Sequence, residues 1–212
     1  MVESTATTDR AAIKADILQF AKTHIDAADG YEVCDNSDTT LKVEGADCKV
    51  KFETKRKWVD GLGYVLVAFG DIDSMSIAKY KAFRDNLAAN MTTMDSGKIK
   101  VTNLENTHGA DIAVMMQIKM PFPMTNRTLI NAYYFDDSEA GSGIYTQCMS
   151  GKGNEAIIEE HKKTIGKDVI GMSHYSYIRI EEREGGAKWT QVMCIDMGGS
   201  IPDMIKGKIA TK

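Results

Sequence analysis

The side chains that most often carry catalysis or bind metals are sparse and widely spaced in this chain. No two histidines have the His-x-x-x-His spacing of a helical metal site, and no Gly-x-Ser-x-Gly nucleophile elbow occurs. The cysteines show neither metal-site spacing nor a Cys-x-x-Cys pair, which indicates reduced thiols in a cytosolic protein. The spacing predicts no catalytic cluster, no metal and no cofactor. The four histidines are His24, His108, His161 and His174, and the four cysteines are Cys34, Cys48, Cys148 and Cys194.

Three local patterns have both a chemical and a structural interpretation. The segment 151–156 fits the Gly-x-Gly-x-x-Ala turn of dinucleotide sites, but its flanking strands are predicted to be antiparallel, which favours a plain glycine turn. Asp71 and Asp73 resemble paired carboxylates, yet they precede a predicted helix, and capping that helix is the simpler role. His174 lies in the middle of a predicted strand, where a hydrogen-bonded wall residue is favoured over an acid–base group.

Composition narrows the class of protein. The 212 residues are 43% hydrophobic and 26% charged, which is typical of a globular chain, and we interpret residues 1–212 as one domain. A net charge of −4 argues against nucleic acid as the main partner. No membrane-spanning apolar run and no secretory leader are found, which favours a cytoplasmic location. The 13 methionines fit either an adaptable cavity or a core that uses Met in place of Leu.

Hydrophobic periodicity predicts mostly antiparallel strands between helices. An amphipathic helix is predicted at 9–29, followed by a meander of three or four strands at 31–70 and a second helix capped by Asp73 or Ser74. Because no crossover helices separate the later strands, the sheet must be largely antiparallel and must curl to bury one face. Those strands are predicted at 98–105, 111–119, 127–136, 143–150, 169–182 and 187–196, with a short helix or loop at 154–163 and a last helix at about 200–210.

All three prolines of the chain fall within two unusual stretches. Residues 119–127, Lys-Met-Pro-Phe-Pro-Met-Thr-Asn-Arg, form an apolar loop between two strands, which is either an exposed interaction surface or a loop packed on the core. In the second stretch a strand ends at Asp196, two glycines turn the chain, and a helix begins with Ile201 and Pro202. Together these stretches resemble the START (steroidogenic-acute-regulatory-related lipid transfer) family, whose order of elements also matches over nearly the whole chain.

The resemblance implies an α+β helix-grip fold, in which a curved antiparallel sheet grips a C-terminal helix around an internal hydrophobic tunnel. Family members bind one phospholipid, sterol or ceramide and carry it between membranes without covalent chemistry. This sequence departs from the family pattern at Arg127-Thr128, where an Arg-Asp pair is usual. It also has Met91 or Met94 near the place of a usual Trp-Asp, and its last helix is short, so the tunnel is more open or the chain is trimmed.

The alternation of side chains along strands predicts which residues line the tunnel. Its polar members would orient a headgroup or hydroxyl, and Arg127 would pair with a phosphate or, as we favour, with a nearby carboxylate. The predicted lid and membrane contact combines the proline-rich loop and the last helix, with the basic run 161–167 either among headgroups or merely solvated. The lining residues are Val114, Met116, Ile118, Arg127, Leu129, Asn131, Tyr133, Tyr145, Gln147, Met172, His174, Gln191 and Met193, and the lid residues are Met120, Phe122, Met124, Ile201, Met204 and Ile205.

The resulting expectation is a soluble, monomeric lipid-binding or lipid-transfer protein of the cytoplasm. Its partners would be one lipid, a phospholipid or a sterol, and transiently a membrane surface, with no nucleic acid. One alternative is an enzyme on the same fold, such as a cyclase or hydrolase, in which His174 converges with Tyr133 or Tyr145. Another is a lipid-sensing scaffold whose bound lipid alters a protein contact.

Overall fold

The computed structural model describes residues 10–43, 46–94, 97–105 and 109–199, and these form a ten-stranded sheet with five α-helices. The strands follow the order β1-β2-β3-β10-β9-β7-β6-β5-β4, and the short β8 lies beside β6. The helices are α1 (Arg10–Asp26), α2 (Ile77–Asp85), α3 (Leu87–Met94), α4 (Glu155–Glu160) and α5 (Lys162–Ile165). The strands are β1 (Glu32–Val43), β2 (Ala46–Val59), β3 (Gly63–Asp73), β4 (Ile99–Asn103), β5 (Ile112–Ile118), β6 (Arg127–Asp136), β7 (Ile144–Ser150), β8 (Val169–Ile170), β9 (Met172–Arg183) and β10 (Gly186–Asp196).

The sheet is antiparallel throughout, except for the two-residue parallel contact of β8 with β6. Most neighbours in the sheet are also neighbours in sequence, which is the arrangement expected of strands joined by hairpins. The exception that shapes the molecule is the pairing of β10 with β3, in which Val192 lies opposite Val67. This pairing joins the N-terminal meander to the later strands, so the last strand lies at the centre of one curved sheet.

One face of the sheet, the outer face, packs against α1. Ile17 and Ala21 are both only 1% exposed, and they contact sheet residues such as Val67, Val192 and Tyr177. Phe20 stacks on Tyr175 with ring centroids 4.1 Å apart. The helix therefore uses its apolar stripe to bury the outer face of the central strands.

The opposite face, the inner face, packs against α2 and α3. Tyr80 of α2 belongs to a buried cluster with Tyr145 and Ile180, and Leu87 of α3 belongs to a second cluster with Val114. The α3 helix is also tied to the sheet edge, because the Val101 amide donates to Thr92 Oγ1 at 3.0 Å. These two helices therefore fill the inner face over β5, β6 and β7.

The α+β class and the large curved antiparallel sheet predicted from sequence are confirmed, and several boundaries are corrected. The meander predicted as three or four strands at 31–70 consists of three strands, β1, β2 and β3. The strand predicted at 169–182 divides at Gly171, where an added Cβ would lie 2.7 Å from Leu129 Cδ2. The C-terminal helix predicted at about 200–210 lies outside the described residues.

The start of α2 also differs from its prediction. Neither Asp73 nor Ser74 caps the helix, because Asp73 is still part of β3 and pairs with Gly186. The cap is Ser76, whose side chain accepts a hydrogen bond from the Lys79 amide at 3.2 Å. Asp71 likewise lies in β3, and its carboxylate pairs with Arg183 instead of a helix terminus.

Candidate functional site

Strand register places the predicted lining residues of β5, β6, β7 and β10 on the inner face. Residues directly opposite each other in an antiparallel pair share a face. Gln147 of β7 and Gln191 of β10 both lie opposite Ile178 of β9, from its two sides. The other pairs follow the same phase: Val114 with Asn131, Met116 with Leu129, Ile118 with Arg127, Tyr145 with Ile180, and Met193 with Ser176, while Tyr133 lies opposite Ile112.

The start of β9 breaks the alternation on which the prediction relied. Tyr175 lies opposite Cys194 and Ser173 lies opposite Ile195, so His174 is the extra residue of a β-bulge. The side chain of His174 still reaches the inner face, where it lines a cavity with Met193. Alternation does not fix the face of Met172 beyond the bulge, and its sulfur lies against Gly151, where an added Cβ would come within 3.0 Å.

Much of the predicted lining is tightly buried. Val114 and Tyr145 are 0% exposed and Tyr133 is 3% exposed, and all three belong to the clusters that α2 and α3 cover. Side chains packed to this degree leave little space for a ligand unless the helices move. This part of the inner face is therefore a packed core between the sheet and the two helices.

The polar side chains of the inner face mostly have partners within the protein. The buried Tyr80 hydroxyl donates to Gln147 Oε1 at 3.1 Å, and the Tyr133 hydroxyl lies 3.8 Å from Met91 Sδ. Burial raises the pKa of both tyrosines, so both stay protonated. Asn131 is 1% exposed, and its Oδ1 has no hydrogen-bond partner among the described residues. Asn131 is thus a buried acceptor without a hydrogen-bond partner in the described part of the chain, and it does not line the cavity described next.

A cavity of about 440 Å³ opens at the end of the inner face where β10 finishes. Its apolar wall includes Leu66, Met193 and Ile195, and His174 contributes a polar group. Ligand pockets in proteins span about 300–1,000 Å³, so this space suits part of an acyl chain or a small apolar molecule. Further lining comes from the turn between β2 and β3, namely Trp58, Gly61, Leu62, Gly63 and Tyr64, and from residues 196–199.

The β2–β3 turn is a part of this site that sequence reasoning missed. Trp58 is 53% exposed at the cavity rim, and its ring packs edge-on against Tyr64 with centroids 5.2 Å apart. An exposed Trp beside two glycines was the available signal. Trp58 comes close to the end of β10 only through the β3–β10 pairing. That pairing joins segments more than a hundred residues apart, and no local pattern reveals it.

The electrostatics of His174 favour a neutral imidazole. Burial lowers its pKa below the ordinary 6.5, the positive charge of Lys152 lowers it further, and the negative charge of Asp196 acts in the opposite direction. Above its pKa the ring offers one donor and one acceptor. His174 therefore suits a polar anchor within an apolar cavity.

Arg127 is almost fully buried beside the Gly198–Gly199 turn. It is 2% exposed, and its guanidinium donates to the backbone carbonyl of Thr125. An added Cβ on Gly199 would lie 3.6 Å from Arg127 Nη2. Within the described part of the chain no carboxylate lies at ion-pair distance from Arg127, and its Nε has no partner. The carboxylate pairing favoured from sequence is therefore not found in this part of the chain.

The proline-rich loop is exposed. Phe122 is 97% exposed, Pro121 and Pro123 on either side are also exposed, and Met120 and Met124 are half-buried. The Met120 amide donates to Asn126 Oδ1 at 3.2 Å, which closes the base of the loop. Of the two interpretations offered by the sequence, the structure favours an exposed surface. The other predicted lid residues, Ile201, Met204 and Ile205, lie outside the described residues.

The described residues contain no helix long and apolar enough to cross a membrane. They also contain no group of three or more His, Cys, Asp or Glu side chains arranged to hold a metal ion.

Comparison with known proteins gives matches in structure but not in sequence. No family model matches the chain, and no curated protein matches it. Human STARD10 superposes with a TM-score of 0.63 at 13% identity, covering 100% of this chain and 77% of the other. Human StAR-related lipid transfer protein 5 gives 0.63 at 10% identity, covering 93% of this chain and 87% of the other.

A bacterial protein has the same fold. The STAR-related lipid transfer protein of Xanthomonas axonopodis superposes with a TM-score of 0.53 at 16% identity, covering 82% of this chain and 90% of the other. Matches of this quality over most of both chains identify the architecture. The chain has the START fold, as its two proline-containing stretches indicated.

Proposed function

We propose that this protein binds one lipid, a phospholipid or a sterol, against the inner face of its sheet and exchanges it at membrane surfaces. The START fold supports this, because two of the structural neighbours reported above are named as lipid transfer proteins. The observation that carries the proposal is the apolar cavity of about 440 Å³ at the end of the inner face. Met193 and His174, the two predicted lining residues that also line this cavity, are the proposed lipid contacts, and the others would reach a lipid only when α2 and α3 move.

Energetics explain why such a cavity is needed. Transfer of an acyl chain of about 16 carbons from an apolar environment into water costs roughly 12 kcal/mol. A carrier avoids this cost by providing an apolar surface, here formed by Leu66, Met193 and Ile195. The inner face beyond the cavity is filled by α2 and α3, so a long chain requires these helices or their side chains to shift. We propose that the loop around Phe122 and the segment with Ile201, Met204 and Ile205 form the lid.

The proposed function involves no covalent chemistry. An enzyme of this fold would need His174 together with Tyr133 or Tyr145. Tyr145 lies opposite Ile180, six residues along β9 from His174, which corresponds to about 20 Å of extended strand. The Tyr133 hydroxyl lies next to Met91, and neither tyrosine lines the His174 cavity. This separation favours a binding protein, which we propose is cytoplasmic and monomeric and does not bind nucleic acid.

The test is lipid binding and transfer by the purified full chain. Native mass spectrometry after gentle purification should find one bound lipid, and fluorescent lipid should move between liposomes when protein is added. Met193→Glu places a carboxylate in the cavity and should reduce transfer more than about tenfold, because that charge must be desolvated beside the lipid. The matched control is Lys188→Glu, at an exposed position of the same strand, which should transfer normally. Empty wild-type protein that transfers no lipid would refute the proposal.

A further inference from the structure

A second depression, which we name the lysine groove, lies between β4, the end of β5 and α5. It encloses about 390 Å³, and its lining includes Lys98, Lys100, Lys119, Asn126, Thr164 and Asp168. The Lys119 amide donates to the Lys98 carbonyl at 2.7 Å, so these two residues lie side by side where β4 begins and β5 ends. Because β4 is the last strand of the sheet, the groove opens at the sheet edge.

The charge of the groove is opposite to that of the whole protein. All three lysines are exposed, whereas the chain carries a net charge of −4. The carboxylate in the lining, Asp168, accepts a hydrogen bond from Thr128 Oγ1 at 2.8 Å and a longer one from Gln117 Nε2 at 3.5 Å. The described lining of the groove thus contains three lysines and one carboxylate, and that carboxylate already accepts two hydrogen bonds, so the lining attracts anions.

The groove is continuous with the proline-rich loop. Lys119 and Asn126 line the groove and also stand at the two ends of that loop, whose tip carries Phe122 at 97% exposure. A wholly exposed aromatic ring held between two prolines has no packing role in the monomer. Basic side chains beside an apolar tip are the combination that binds an anionic lipid interface, where ammonium groups meet headgroups and the ring enters the acyl boundary.

We propose that the lysine groove receives the headgroups of an anionic phospholipid membrane while Phe122 enters the interface. The protein thus docks on anionic membranes in preference to neutral ones. The inference rests on the proposed function in one respect, namely that a lipid carrier must reach a membrane. The new elements are the negative charge of the membrane and the three lysines that select such a membrane.

The experiment measures binding of the full chain to vesicles of phosphatidylcholine, alone or mixed with phosphatidylserine. Each lysine near an anionic surface strengthens binding about fivefold, so the triple variant Lys98→Gln, Lys100→Gln, Lys119→Gln should bind the mixed vesicles about a hundredfold more weakly. Its weak binding to neutral vesicles should not change. The control variant Lys22→Gln, Lys49→Gln, Lys51→Gln makes the same charge change at exposed sites on α1 and β2 and should bind almost as wild type.

Four results would overturn the inference. If both triple variants bound the mixed vesicles equally, the attraction would depend on net charge alone and not on the groove. Equal wild-type binding to neutral and mixed vesicles would remove the charge preference, and displacement by inorganic phosphate at low concentration would mean a site for a free anion. Absence of binding to either vesicle would leave Phe122 as a contact for a protein. Raising salt to about 1 M, where the Debye length is about 3 Å, should abolish the preference.

Uptake of lipid in the absence of membranes separates this inference from the proposed function. A fluorescent lipid presented on cyclodextrin should enter the groove-lysine variant as readily as the wild type, since the cavity does not include the three lysines. Normal uptake with unchanged docking by that variant would refute the inference alone. Selective docking without any uptake by the wild type would refute the proposed function alone.

Discussion

The hydrogen bond between Tyr80 and Gln147 provides a quantitative test of how the inner face is built. Gln147 was predicted to orient a lipid headgroup, whereas its Oε1 accepts a hydrogen bond from the Tyr80 hydroxyl at 3.1 Å. The two residues are 4% and 5% exposed, so neither group has water as an alternative partner. Tyr80→Phe removes the donor and Gln147→Leu removes the acceptor. The ring of Phe at position 80 keeps the contacts with Tyr145 and Trp189.

The expected magnitudes follow from burial. Leaving one buried polar group without a partner costs about 1–3 kcal/mol, so each single variant should lose about 2 kcal/mol of unfolding free energy. For a domain of this size that corresponds to a fall in Tm of about 4–8 °C. Replacing both partners leaves no unsatisfied group, so the double variant should be no less stable than either single variant.

Urea denaturation of the wild type, both single variants and the double variant gives the four unfolding free energies of a double-mutant cycle. The account predicts a coupling free energy of about 1–3 kcal/mol between the two positions. Additive losses would refute the reasoning, because they would mean that the two groups do not share a buried hydrogen bond. The matched control is the exposed pair Gln19 and Thr23 on α1, whose substitution by Leu and Val should change stability by less than about 0.5 kcal/mol.

Three further predictions concern other parts of the molecule. Asp136→Asn should lower stability by about 1 kcal/mol at pH 7. Because the hydrogen bond from Lys14 lowers the Asp136 pKa from 3.8 to about 2, this advantage of the wild type should disappear as pH falls through that range in acid titration melts. Phe122→Ala should leave Tm unchanged but weaken vesicle binding roughly tenfold or more, since a ring that is 97% exposed stabilises only the docked state. Gly171→Ala should cost about 1–3 kcal/mol in urea denaturation, because its Cβ would come within 2.7 Å of Leu129, and unchanged stability would contradict that packing.

Local patterns were sufficient for much of the sheet. Strands β5, β6 and β7 pair without a register shift, so the period of two holds along each strand and Val114, Asn131 and Gln147 lie on one face. The glycine and polar clusters around 137–143 and 184–186 likewise mark real hairpin turns. The two proline-containing stretches indicated the START fold because chain order and turn chemistry are both local properties.

Long-range pairing explains what the sequence did not reveal. Asp73 extends β3 because it pairs with Gly186, and this contact overrides its tendency to cap a helix. The bulge at His174 arises because β9 has one more residue than β10 at this point of their pairing. The alternation within either strand alone does not reveal it. The cavity needs the β2–β3 turn, with Trp58, next to the end of β10, and that proximity exists only after the sheet has formed.

The central claim is that the inner face at the β9–β10 end holds the lipid, and photo-crosslinking tests it most directly. A phospholipid or sterol carrying a diazirine on its apolar part would be loaded into the full chain, irradiated and mapped by peptide mass spectrometry. The account predicts saturable crosslinks to Leu66, Met193 and Ile195, which line the cavity, and their loss in Met193→Glu. Crosslinks confined to α1 on the outer face, or labelling that unlabelled lipid does not compete away, would contradict it.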